Sequence, residues 1–488
     1  RALSAQGRLN AQNAINVTGG EVSLSAASTN GNIAADARGN LRLQGEIIAK
    51  GNAQLSVAGT LSNGAPVSVG GDLTVRAGTL INSASLSAMG TSAVTANSLV
   101  NRGTLYGRDT TLNAAQIDNA GGQVLAGDRL QVRSTTLSDN TGGLFAADSD
   151  LLFNFTGTLN NAGGRIAAGH DLTVNAAGAF DLAAASAGTM EAGNLLTLKA
   201  DLINNSGAWT PQFKGLSLTS FGDFSNSGLI EMAGDFRINT TGNINNSGAI
   251  KTGGSIALSG ASVTNTNVLK ADVDVALNGN IINRGTVEAG RDVTVSGSAF
   301  DNGKGRLHAD RDLSVDVSGA VTNVGGVLEA ARDVSIRAAS LNNDREAPLS
   351  VTEHTASFNQ AMLDPIVVSL QEYVSSGCIP TCQGYYLPEL SISTLNPDYQ
   401  SGTVTRAYRL FNPKRDVTET IALPQYETTR VTQSQGTEGR ITAGAKVEVN
   451  VQGEISNRGS TIEAGQSVSL NASGLRNGRS DSLIQSFE

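Results

Sequence analysis

Aromatic side chains are scarce: Phe, Tyr and Trp make up 4% of 488 residues, with a single Trp. Large rings dominate ordinary cores, so the three or so conventional globules that this length would suggest are disfavoured. Charge is scarce too, at 16% of residues, below what a solvated, disordered chain usually carries. There is no basic surplus, and the net charge of −9 speaks against nucleic acid or an anionic membrane as a partner. No apolar run approaches the ~18 residues of a membrane helix, so no membrane span is expected. The chain opens on Arg1 without a basic-then-apolar leader, and it reads as cut from the interior of something longer. What is plentiful is small. Fifty-seven glycines stand among Ala, Asn, Ser, Thr and Val, a composition suited to short strands and tight corners.

Those residues repeat. An Asn followed closely by Gly occurs at Asn63, Asn101, Asn119, Asn140, Asn161, Asn205, Asn226, Asn246, Asn283, Asn302 and Asn323, and Asn82 and Asn343 keep the register without the Gly. Steps are 18 to 21 residues, except for 161 to 205 and 246 to 283, which are each two units long. A second marker keeps phase with the first: a short turn before an alternating strand, as in Arg291-Asp292-Val293-Thr294-Val295, Arg311-Asp312-Leu313-Ser314-Val315 and Arg332-Asp333-Val334-Ser335-Ile336. Alternation of apolar and small polar residues is the period-two signal of strands with one buried face. Val293 and Val295 should point inward and Thr294 outward. Units this short cannot hold a strand–helix–strand crossover, and none can bury its apolar face alone, so they must stack. The expected fold is all-β: a right-handed parallel β-helix of roughly 17 coils over residues 1–343, about 80 Å long at ~4.8 Å per coil.

Units such as Asn161-Ala-Gly-Gly-Arg-Ile-Ala-Ala-Gly-His-Asp-Leu-Thr-Val-Asn175 resemble the filamentous haemagglutinin repeat. That repeat belongs to large exoproteins of two-partner secretion, among them the contact-dependent growth-inhibition proteins known as CdiA. The likeness covers nearly all of 1–343 and resumes from about 439 to 478. It implies a non-enzymatic protein secreted to the cell surface, at the outer membrane of a Gram-negative bacterium. The partners it implies are an outer-membrane two-partner secretion transporter and a receptor on a target cell. Neither the family's N-terminal secretion domain nor a C-terminal toxin module is recognisable. Asn396-Pro397 and Asn412-Pro413 do not stand in for the N-terminal motif.

The repeat stops at Asn343. Seven of nine prolines, six of seven tyrosines and both cysteines lie between there and residue 438. At Gly439-Arg440-Ile441-Thr442-Ala443-Gly444 the pattern of Gly164-Arg165-Ile166-Ala167-Ala168-Gly169 returns in mid-unit. Uninterrupted units carry two residues at that corner (Ala162-Gly163, Val324-Gly325), and here ~95 residues would take their place. The expected organisation is thus a β-helix over 1–343, an inserted Tyr/Pro-rich domain over 344–438, and the β-helix resumed over 439–488. Within the insert, Asp364-Pro365 should open a short helix, and strands are expected at Thr403–Phe411, Val417–Leu423 and Tyr426–Val431. By resemblance, this is where a receptor-binding region would lie.

Candidate chemistry is sparse. In an extracellular protein, Cys378-Ile-Pro-Thr-Cys382 points to a disulfide closing a tight loop, with free thiols and a metal or redox role open as alternatives. Tyr385, Tyr386, Tyr399, Arg406, Tyr408, Arg409, Phe411, Lys414 and Arg415 form a candidate receptor contact, since Arg and Tyr dominate binding hot spots. A solvated strand face is the alternative. The aspartates at 292, 312 and 333 could be read as a metal ladder, but corner Asp residues more often bond their own turn, and the preceding arginines would blunt repulsion. Glu191, Glu288, Glu329 and Glu463 fall one to a unit at the same outward position, which His308 fills in its own unit, while His170 sits in a turn. That is not the convergence of acids a polysaccharide-cleaving β-helix needs. Trp209-Thr210-Pro211 interrupts its unit, and a bulge is expected there rather than a sugar platform. No cofactor and no metal are expected.

Overall fold

A computed structural model describes residues 2–185, 188–211, 214–347, 349–355, 385–395, 402–411, 414–422, 428–434 and 436–478. Contacts divide the chain into two units, one of Arg1–Arg345 and Thr437–Arg479, the other built on Glu346–Gly436. The first unit is a parallel β-solenoid of about 19 turns. At ~4.8 Å per turn the stack is about 90 Å long.

Each turn of the solenoid has three faces, and like residues stack along each. On the first face Val275, Val293, Leu313 and Val334 pair in succession. Ile281, Phe300, Val321 and Leu341 do so on the second, and Val287, Leu307, Leu328 and Ile441 on the third. Val293 and Val295 are buried and Thr294 is exposed, as period-two alternation requires. Full burial of one Val, Leu or Ile contributes roughly 1.5–3 kcal/mol, and this occurs only when a neighbouring turn covers it. The described ring contacts cluster in one stack, Phe145–Phe153–Phe155–Phe180, with centroids 5.4, 5.6 and 6.3 Å apart. Trp209 is core as well, buried beside Ile230 in the first strand of a nine-stranded sheet.

The asparagines turn inward at the corner between the second and third faces. Each donates from Nδ2 to the Oδ1 of the next, from Asn63 through Asn82, Asn101, Asn119 and Asn140 to Asn161 at 2.7–2.8 Å. A second run goes from Asn205 through Asn226, Asn246, Asn265, Asn283, Asn302, Asn323 and Asn343 to Asn457 at 2.7–2.8 Å. The glycine marker has a steric cause: a Cβ on Gly122 would lie 2.4 Å from Asn101 O and 2.7 Å from Asn119 Oδ1. Corners with one extra residue also need a positive φ, met by Gly121, Gly142, Gly163, Gly325 and Gly459, and by Lys304 at 62°. The step from 246 to 283 is complete after all, because Asn265 fills it without a following Gly. The step from 161 to 205 is not. Leu182, buried, takes the asparagine's place at the start of the helical turn Leu182–Ala185.

At the corner after Asn343 the two-residue pair survives, contrary to the sequence-based expectation. Asp344 O accepts from Gly325 N–H at 3.2 Å, and Arg345 N–H donates to Arg458 O at 2.8 Å. These residues hold the places of Val324 and Gly325, and the insertion enters after them. The reason is electrostatic. The buried Asp344 carboxylate accepts from Arg458 Nε (3.0 Å) and Nη2 (2.7 Å), from Arg458 N–H (2.8 Å) and from Ser456 Oγ (2.7 Å). Gly439 then resumes the turn against Asn343 as Gly326 does against Asn323.

The second unit changes register type. Leu349–Thr355 runs antiparallel to Thr428–Ser434, with Leu349 opposite Ser434 and Thr355 opposite Thr428. A separate three-stranded antiparallel sheet holds Tyr385–Leu395, Gly402–Phe411 and Lys414–Ala422. Three strands fall near the expected ones, while Leu349–Thr355 and Tyr385–Leu395 were not anticipated. The expected helix at Asp364-Pro365 lies outside the described residues.

Candidate functional site

Several outward acids of the solenoid are matched with arginine or lysine. On the third face Glu288, His308, Glu329, Thr442 and Glu463 occupy one column. Arg306 spans it, reaching Glu288 at 3.1 Å and Glu329 at 3.1 Å, and Lys270 approaches Glu288 at 3.3 Å. His308 Nε2 lies 2.9 Å from Asp310 and its Nδ1 3.4 Å from Glu329. Glu191 pairs with Arg165 at 2.5 Å, and that hydrogen bond holds the carboxyl below its ordinary range and the guanidinium above its own. His170 lies 3.3 Å from Asp150 and 3.5 Å from Asp171 at an exposed corner. Among these, no two carboxylates are set aside as a proton donor and an unpaired base.

The aspartate column is a set of clasps between turns. Arg291 reaches back to Asp274, Arg311 to Asp292 and Arg332 to Asp312, with Nε–Oδ1 distances of 2.8, 2.8 and 2.7 Å and a second contact through each Nη2. Asp274 and Asp292 also accept the backbone N–H of the residue one turn on, from Asp292 at 3.2 Å and from Asp312 at 3.3 Å, and Asp333 does so from Lys446 at 3.1 Å. The Arg291 hydrogen bonds hold the Asp274 carboxyl below its usual range. The arginines thus do more than soften repulsion: they tie successive turns.

The receptor-contact candidates fall on the inserted sheet. Tyr385 is opposite Leu410, Tyr386 opposite Arg409 and Arg406 opposite Leu390. Tyr408 is opposite Val417, Leu410 opposite Arg415 and Phe411 opposite Lys414. All the candidates but Tyr399 are therefore carried by three adjacent strands. Tyr399, Cys378 and Cys382 lie outside the described residues. Sequence reading missed the strand Tyr385–Leu395 that brings the tyrosine pair beside the basic strand. Pro388 within it removes a backbone donor and masks the alternation.

These features define a class: a parallel β-solenoid whose turns are tied by buried amides, interrupted at one corner by an antiparallel insert. The haemagglutinin-repeat family model matches residues 2–65, 68–154, 141–228, 222–285, 268–325, 292–356 and 416–486, and the chain belongs to the filamentous haemagglutinin family. No curated protein matches the chain, and no solved structure does. The family is a structural and adhesive one, typically secreted or at the cell surface, in the setting of two-partner secretion. Among the described residues no helix is long and apolar enough to cross a membrane.

Proposed function

We propose that the solenoid is a filament stalk and that the inserted sheet is its contact with a receptor on a neighbouring bacterium, in the service of contact-dependent growth inhibition. The observation that carries the reading is the change at the 343 corner. A repeat that needs only two residues there carries, after those two, a unit of different register, and all the contact candidates but Tyr399 share its three-stranded sheet. Such residues give large contact area and charge-assisted hydrogen bonds at an interface. The stalk is read as non-catalytic, since Glu191, Glu288 and Glu329, which recur at one outward position, are each paired with an arginine.

The test is binding of the whole chain to cells, with Arg406→Ala, Tyr408→Ala and Arg409→Ala combined in one variant. Loss of at least tenfold in affinity for target bacteria, with unchanged circular dichroism, is the expected result; truncating hot-spot residues costs 2 kcal/mol or more, about thirtyfold. Binding confined to host cells or biofilm matrix would favour an adhesin of the same architecture. An unaltered affinity would remove the sheet from the contact.

A further inference from the structure

The stack is not uniform along its length. Its first face is continuous: Leu151, Leu172, Leu196 and Leu216 pair in succession across strands Leu151–Phe155, Leu172–Ala176, Leu195–Ala200 and Gly215–Ser220. The other two faces are interrupted in this stretch. On the second, Thr158–Asn160 pairs with the turn before it and Ala179–Asp181 with the turn after it, and among the described residues no ladder joins the two. On the third, Thr189–Ala192 pairs back to Arg165–Ala168 and Ala208–Trp209 pairs on to Leu229–Met232, again with no ladder between them among the described residues. Both interruptions bound the same turn, one on each side of it.

The asparagine run breaks at this turn too. With Leu182 in the column, Asn161 Nδ2 is left with Thr189 O at 3.5 Å, and Asn205 Oδ1, in a residue 1% exposed, accepts no hydrogen bond among the described residues. A pocket of about 520 Å³ opens at the second-face gap, lined by Phe155, Leu159, Asn161, Ala177, Phe180 and Asp181. In a stacked repeat, stability is approximately a sum of turn and nearest-neighbour interface contributions. Here the interface has fewer ladders and lacks an amide step.

We propose that this turn is a built-in joint: the place where the stalk opens locally while the blocks on either side, tied by unbroken asparagine runs, stay folded. Local opening concentrates where cooperative contacts are fewest. A joint of this kind lets a filament under load yield at one position without unravelling from that position outward.

Hydrogen exchange on the full chain tests it at strands that the gaps themselves do not expose. Leu172–Ala176 and Leu195–Ala200 are paired on both sides, so a static gap would leave them as protected as Leu73–Asn82 or Val275–Asn283. Opening at the joint predicts that they exchange about tenfold faster than those two strands. Leu182→Asn, which would rejoin Asn161 to Asn205, should slow them and leave Val275–Asn283 unchanged. Should that variant disturb the helical turn, Asn82→Leu provides the converse: it breaks an intact run and should speed exchange in Leu73–Asn82 and Thr91–Asn101. Equal protection of Leu172–Ala176, Leu195–Ala200 and the other first-face strands in the unaltered chain would overturn the proposal.

Discussion

Asn246 accepts from Asn226, donates to Asn265 Oδ1 at 2.8 Å, and shares its second hydrogen with Val268 O at 3.2 Å. A buried amide left without partners costs ~1–3 kcal/mol, and truncation here strands groups on two neighbours at once. Asn246→Ala should therefore cost about 2–4 kcal/mol in a urea titration, against a fraction of that for an exposed Asn. Lys304 offers a test of opposite sign. It holds a φ of 62° where Gly121, Gly142, Gly163, Gly325 and Gly459 hold the same conformation at their corners, and a side chain in that region costs ~1–2 kcal/mol. Lys304→Gly should raise stability by about 1 kcal/mol, read as an upward shift of the midpoint at unchanged slope. Asp344 carries a pH dependence. Burial pushes its carboxyl up, but hydrogen bonds from the Arg458 side chain and N–H and from Ser456 outweigh that and leave it below its ordinary value. Its folded value thus lies under its unfolded one, so its stabilisation is complete above the ordinary carboxylate range. It is lost as pH falls through the depressed value. Asp344→Asn should lower stability at neutral pH and flatten the acid side of a stability–pH curve. A curve of unchanged steepness would contradict this account.

Individual turns were legible to the extent that sterics wrote them into the chain. Asn-then-Gly could be found because the amide column leaves no room for a Cβ beside it, and Gly122 is the clearest instance. Asn265 carries no such mark, because its corner, Asn265-Thr266-Asn267, has no glycine. Leu182 looked like ordinary apolar residue in an apolar repeat, and nothing local says that it stands in an asparagine column. The retained pair Asp344-Arg345 was hidden because its partners, Ser456 and Arg458, are more than a hundred residues on, beyond the insert. The two kinds of tie between turns should also differ in strength. The Arg311–Asp292 clasp is solvent-facing and worth ~0–1 kcal/mol. Overpacking in a filled interior costs ~1–3 kcal/mol. Arg311→Gln should then barely move the melting temperature while Gly122→Ala lowers it by several degrees. Equal effects would mean that the surface charges, not the buried corner, hold the turns together.

Across the whole chain, the repeats need only neighbouring turns, and the insert enters at a corner whose own residues are all in place. That is why stalk and contact should be separable. The direct measurement is a deletion of Glu346–Glu438 with Arg345→Gly, which joins Asn343-Asp344 through one glycine to Gly439 and reproduces the Asn323-Val324-Gly325-Gly326 corner. Damage in a stacked repeat does not travel far from its site. The account predicts a variant with an undiminished β-type circular dichroism signal, melting within about 1 °C of the parent, a difference of under ~1 kcal/mol at this chain length, and no detectable binding to target bacteria that the full chain binds. A folded deletion variant that still binds those cells would contradict it, because recognition would then belong to the turns of the stalk.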